Sequence, residues 1–182
     1  NKIIKNSVGI IPNIRIFDKT NTDEKSGIEF YQKLLKFILR DTEAVYLIAH
    51  SGEDLEFCKK IKMEFENEDR VILTDRILHS FEFQFLVQSF KYIVASRFHS
   101  IVHAYKQGTP ALIIGWAEKY DELAKVFGQE KYIINFDQGE KVFDNIVNLM
   151  DKECASERQR ILNILPQIQQ NSCWEFIRAL PK

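Results

Sequence analysis

Apolar residues along this chain fall into two alternating patterns. Short continuous runs occupy residues 7–13, 44–49, 71–73, 92–95, 111–115 and 132–134, and each reads as a strand buried on both faces. Between them apolar residues recur every three or four positions, as on one face of a helix. Ile28, Tyr31, Leu35 and Ile38 form the first such set, behind Ser26-Gly27-Ile28-Glu29, which has the spacing of a capping box and predicts a helix from Ser26 to near Arg40. Leu55, Cys58, Ile61 and Phe65 form the second, with Ser51 and Asp54 as its cap. Residues 81–87 begin by alternating like a strand, but Phe83, Leu86, Val87 and Phe90 fit a helix face, and a helix is predicted there. Its aromatic side chains are expected in the core, with a stacking platform for bases or sugars as the alternative.

The run 92–95 breaks at Ser96 and continues as a helical pattern that ends at Gly108, with Pro110 beyond. Tyr120, Leu123, Ala124 and Phe127 predict a helix closed by Gly128. Phe143, Ile146, Val147 and Met150 mark another. Ile161, Leu165 and Ile168 mark a separate one with a bend at Pro166, and Ser172-Cys173-Trp174-Glu175 caps a last short helix. Five or six strand–helix repeats with continuous apolar strands predict an α/β fold, a doubly wound, mostly parallel Rossmann-like sheet with helices on both faces. No linker or repeat interrupts the pattern, so residues 1–182 are read as one domain, with C-terminal helices from about 140 to 180.

Ligands of such sheets bind beyond the carboxyl ends of the strands. The residues leaving the strands are Asn13 and Arg15, His50 and Ser51, Ser96 to His99, and Gly115 to Lys119. Arg97 and His99 lie where a strand becomes a helix, at a terminus whose N–H groups lack partners and whose dipole favours an anion. Arg97 can clamp a carboxylate or phosphate with its planar fork, or pair with a neighbouring acid. His99 can move a proton near neutral pH, or simply pack. His103, four residues on, shares a helix face with His99, yet Ser100 stands where a zinc-protease motif needs Glu; no metal site is expected, and His103 is read as packing or support. Lys119 can add a second cation. Glu118 can hold sugar hydroxyls or act as a base, and Trp116 can stack on a sugar; the helix dipole alone would also favour Glu118 there.

Composition narrows the choice. The formal net charge is −1, which gives no footprint for nucleic acid. No apolar run approaches the roughly 20 residues of a membrane helix. The three cysteines, Cys58, Cys154 and Cys173, are far apart and fit reduced thiols of a cytoplasmic protein. There is no Gly-x-Gly-x-x-Gly after a strand, no phosphate-binding Walker sequence and no Gly-x-Ser-x-Gly elbow. The chain opens on Asn1, as expected of a processed protein or a fragment.

The run Ala95-Ser96-Arg97-Phe98-His99-Ser100-Ile101-Val102-His103-Ala104, followed by Gly108-x-Pro110 and by Gly115-Trp116-Ala117-Glu118-Lys119-Tyr120, closely resembles the polysaccharide pyruvyl transferases. The likeness runs from the first strand to the helix near Phe127. It implies the C-terminal, donor-binding half of an enzyme with two facing Rossmann-like domains of the GT-B type, the N-terminal domain being absent from this chain. It implies phosphoenolpyruvate as donor, no cofactor and no metal, and a sugar or lipid-linked oligosaccharide as acceptor, bringing a cytoplasmic protein to the inner membrane through that acceptor. His99 would be catalytic; Arg97, with Ser96, Ser100 and Lys119, would hold the donor. Asn13, Arg15, His50, Ser51, His103, Trp116 and Glu118 would contact the acceptor or support the site. The alternative is a GT-B-type glycosyltransferase or sugar-nucleotide enzyme, with Glu118 on ribose hydroxyls.

Overall fold

The computed structural model describes residues 3–20, 22–135 and 140–170. Six strands form one sheet: β1 (Ser7–Ile11), β2 (Ala44–Leu47), β3 (Val71–Leu73), β4 (Ile93–Ala95), β5 (Ala111–Ile114) and β6 (Ile133–Ile134). The order is β3-β2-β1-β4-β5-β6, and every neighbouring pair is parallel. The chain therefore winds outward from β1 in one direction, returns to β4, and winds outward in the other. The switch point lies between β1 and β4, where two strand ends diverge and leave a crevice.

Helices α1 (Glu24–Ile38) and α2 (Gly52–Lys62) cover one face. Tyr31, Leu34, Leu35, Phe57 and Ile61 pack there against Val8, Ile10, Val45 and Val94. Helices α3 (Ser80–Val87), α4 (Phe98–Lys106) and α5 (Glu118–Phe127) cover the other, where Phe83, Ile101, Tyr105 and Tyr120 meet Ile11, Tyr46, Ile93 and Ile113. Both faces of the sheet are buried, as the unbroken apolar strands require. Gly9 in β1 leaves room for Phe90, since a Cβ would stand 2.7 Å from the ring.

Helix α1 begins earlier than the capping-box spacing predicts. Asp23, not Ser26, is the N-cap, and its carboxylate accepts from Ser26 N (2.8 Å) and Ser26 Oγ (3.1 Å). The two helices expected after residue 140 are one, α6 (Glu140–Gln170), which continues through Pro166. At about 1.5 Å per residue it is long enough to reach both faces. Val147 and Met150 join the first core and Ile161 the second. Its middle turns look solvated in sequence but face inward: Asp151 pairs with Lys91, Arg158 Nη2 donates to Phe90 O (2.6 Å), and Glu157 takes Gln129 Nε2 (2.6 Å) and Tyr132 OH (3.2 Å). The predicted helix at 172–175 and the Phe143 side chain lie outside the described residues.

Among the described residues, no helix is long and apolar enough to cross a membrane, and no group of three His, Cys, Asp or Glu side chains is placed to hold a metal ion.

Candidate active site at the switch point

Four chain segments meet beyond the carboxyl ends of β1, β2 and β4. A buried polar lattice fixes them to one another. Asn13, just past β1, donates from Nδ2 to Ser96 O (3.4 Å) and accepts Arg15 N on Oδ1 (3.1 Å). Ser96 O also accepts Tyr120 OH from α5 (2.9 Å), and Ser96 Oγ pairs with Tyr31 OH from α1 (3.0 Å). Ser96 is fully buried. The residue expected to bind a donor therefore ties helices from both faces to the end of β4, and its hydroxyl is already engaged.

Arg97 is the N-cap of α4, one position before the helical turn in which sequence places it. Its side chain cannot accept a hydrogen bond, so the first N–H groups of α4 have no side-chain cap. Its Nη2 donates to Asp54 Oδ2 and to Ser51 Oγ (3.3 Å). Asp54 is fully buried, and its other oxygen accepts Ile14 N (3.2 Å). One carboxylate thus joins the exits of β1 and β4 to the first turn of α2. Sequence reasoning read Asp54 only as part of a cap, and its backbone N–H does donate to Ser51 Oγ (3.1 Å). Nothing in the spacing announces its second task. Arg97 Nε is buried without an acceptor among the described residues.

Arg97 at the N-cap of α4 and His99, Ser100 and His103 within it, with His50 and Ser80, line a cavity of about 240 Å3. Of the predicted residues, the structure brings His50, Arg97, His99, Ser100 and His103 together here. Ser100 Oγ lies 2.8 Å from His50 Nε2. Burial, then the nearby Arg97 cation, push the His50 pKa down to about 4, so the ring is neutral at neutral pH. His103 is also shifted down, by burial first and then by Lys106, and its Nδ1 is buried without a partner among the described residues. The ring of Phe83 meets both imidazoles edge-on, 4.7 Å from His50 and 6.0 Å from His103. Ser80 and Phe83 were missed as site residues; helix periodicity marks Phe83 as core, and only packing shows which rings it supports.

The remaining predicted residues lie elsewhere. Lys119 does not line this cavity; its Nζ sits over the rings of Phe98 (5.1 Å), Trp116 (5.5 Å) and Tyr120 (5.6 Å). Trp116 and Glu118 line a second cavity of about 250 Å3 with Asp121 and Asn135, beyond β5 and β6. Arg15 is exposed and pairs with Glu53 (3.1 Å) and Asp18 (3.5 Å). Of the aromatic cluster at 81–85, Phe83 is core as expected, but Phe81 and Phe85 are 85% and 77% exposed.

No protein-family model and no curated protein matches the chain. Solved structures do. One is a UDP-GlcNAc 2-epimerase of Methanocaldococcus jannaschii in complex with UDP-GlcNAc and UDP, at TM-score 0.58 and 13% identity, matched over 90% of this chain and 45% of that one. Another is the spinosyn forosaminyltransferase SpnP, at TM-score 0.53 and 16% identity, over 93% of this chain and 44% of that one. The chain thus has the Rossmann-like fold of one half of such GT-B-type enzymes and spans less than half the length of each.

Proposed function

We propose that this domain is the donor-binding half of a polysaccharide pyruvyl transferase, which moves the pyruvyl group of phosphoenolpyruvate onto two hydroxyls of a sugar as a ketal. The observation that carries this reading is the Ser-Arg-x-His-Ser run at the switch point, with Arg97 and His99 beside the uncapped N-terminus of α4 on one cavity. Phosphoenolpyruvate carries a carboxylate and a phosphate, and an arginine beside open helix N–H groups suits either. Protonation of the donor's C3 makes C2 electrophilic. A sugar hydroxyl adds there, phosphate leaves, and a second hydroxyl closes the ketal. His99 is assigned the proton transfer to C3 because it is the exposed imidazole of the cavity.

The second domain of the enzyme would supply the facing wall and the remaining contacts to the acceptor. The test is phosphate release from phosphoenolpyruvate by the full-length protein with a panel of sugar and lipid-linked acceptors. His99→Ala is expected to lower turnover by about 100-fold or more, with donor binding changed far less. Near-normal turnover of that variant would refute the role.

A second reading, a nucleotide-sugar enzyme, is favoured by two observations: two of the solved structures that share the fold are a UDP-GlcNAc epimerase and a glycosyltransferase, and a cavity with Glu118, Asp121 and Asn135 lies beyond β5, where carboxylates can accept from ribose hydroxyls. Thermal-shift titration with phosphoenolpyruvate against UDP and UDP-sugars separates the two. Stabilisation by the nucleotides alone would select the second reading.

A further inference from the structure

Two aromatic side chains of α3 stand exposed beside the cavity, and the chemistry proposed above makes no use of them. Phe81 and Phe85 are 85% and 77% exposed, whereas Phe83 between them is fully buried. A phenyl ring left in solvent forgoes one of the larger hydrophobic gains open to any side chain. The two rings lie one helical turn apart on one side of α3, about 6 Å along its axis. Gln84 and Gln88 fall on that same side, three and seven positions after Phe81. The face therefore combines two apolar rings with two amides.

We propose that this face is an acceptor platform: it stacks on the sugar unit next to the one that receives the ketal, so the acceptor is an oligosaccharide and not a single sugar. The assignment rests on the pyruvyl-transfer reading, whose acceptor is a sugar. Position supports it. Ser80, immediately before Phe81 in the first turn of α3, lines the cavity that holds Arg97 and His99. Gln84 is one turn on from Ser80, between it and the rings. The opposite side of α3 carries Phe83, whose ring meets His50 at 4.7 Å and His103 at 6.0 Å. Platform and cavity wall are thus two sides of one short helix.

Chemistry selects a neutral sugar chain over other occupants. A pyranose ring offers apolar C–H faces and a rim of hydroxyls. Aromatic rings suit the faces, and an amide can both donate to and accept from the rim. The one charged side chain of α3, Glu82, is held by Arg76 through Nη1 (2.9 Å) and Nη2 (2.7 Å). Residues 77–90 contain no Lys or Arg, which an anionic lipid surface would call for.

The experiment uses the full-length protein and measures phosphate release from phosphoenolpyruvate. Glucose, galactose, mannose and N-acetylglucosamine are each offered as the methyl glycoside and as the terminal unit of a tetrasaccharide. The wild-type protein is expected to prefer the tetrasaccharide by about 10-fold or more in kcat/KM. Phe81→Ala and Phe85→Ala should each raise the tetrasaccharide KM by about 10-fold, with kcat, donor KM and methyl-glycoside kinetics within about 2-fold of wild type. Phe81→Trp should keep the preference, since the larger ring still stacks. Unchanged tetrasaccharide KM in the double alanine variant would overturn the proposal. So would three signs of another occupant, each lost in that variant: binding to phosphatidylcholine–phosphatidylglycerol vesicles, a concentration-dependent dimer in sedimentation, or several degrees of Tm from cover by the rest of the full-length chain. If the wild-type protein releases no phosphate with any acceptor, the pyruvyl-transfer reading falls and takes the platform with it. If it is active and the variants match it on tetrasaccharides, only the platform falls.

Discussion

Asp54 is the residue whose loss should be felt most widely. It is fully buried and satisfies Ile14 N with one oxygen and Arg97 Nη2 with the other. Asp54→Ala orphans the Ile14 N–H, a cost of about 1–3 kcal/mol for a buried donor. It also removes the partner of Arg97. Breaking a fully buried pair costs about 3–5 kcal/mol, but the Arg97 side chain is 28% exposed, so water can reach part of it and about 1–2 kcal/mol is the better figure. The sum is about 3 kcal/mol, or a fall in Tm of roughly 10 °C for a chain of this size. Urea unfolding at pH 7 measures it.

The reverse deletion should behave differently. Arg97→Ala leaves a carboxylate with no exposure and no cation. The loss should approach about 3–5 kcal/mol, and Asp54→Asn in that background should restore part of it by removing the stranded charge. If Asp54→Ala costs under about 1 kcal/mol, or if Asp54→Asn fails to improve Arg97→Ala, the carboxylate is not the joint inferred from its contacts.

Three further outcomes are expected. The His50 pKa is about 4 when folded against about 6.5 unfolded, so the unfolded chain binds the extra proton between these values. Its contribution is therefore complete above pH 6.5 and lost as pH falls to about 4, on the order of 2–3 kcal/mol, and urea midpoints of His50→Gln should vary less across that window than those of wild type. Gly9→Ala places a Cβ 2.7 Å from the Phe90 ring in a strand buried on both faces, and should cost about 1–3 kcal/mol by overpacking; a neutral effect in urea unfolding would show that Phe90 can move aside. Glu157→Ala removes the 2.6 Å acceptor of Gln129 Nε2 and leaves Tyr132 OH with Glu153 alone (2.9 Å), and should cost about 1–3 kcal/mol, with Glu157→Gln milder; equal losses for the two would contradict the charge-assisted account.

The strand-to-helix corner at Ser96–His99 was legible because a β4 exit must lie near a helix N-terminus whatever the rest of the chain does. The roles within it were less legible. Ser96 reads as a ligand beside Arg97, yet an extended backbone sends alternate side chains to opposite sides, and its hydroxyl ends on Tyr31, 65 positions away. Lys119 reads as a cation for the donor, but its placement follows from how α5 leaves β5 among three aromatic rings. Asp54 and Ser80 carry no local signal for the site, because their partners lie on other segments.

By itself the sequence determined the alternation of buried strands and amphipathic helices, since both periods are local consequences of which residues avoid water. With them came the fold class and the helix stop at Gly128, where φ is 64° and glycine meets no Cβ penalty. Tertiary structure alone decided the strand order, and with it that β1 and β4 are neighbours. It decided that residues 140 to 170 form one helix, because the inward partners of Asp151, Glu157 and Arg158 lie on β4 and β6 approaches and not on the helix itself. It decided, too, that His50 faces Ser100 across 50 positions of chain. Contacts at that separation depend on how every intervening element packs, and no periodicity in the chain records them.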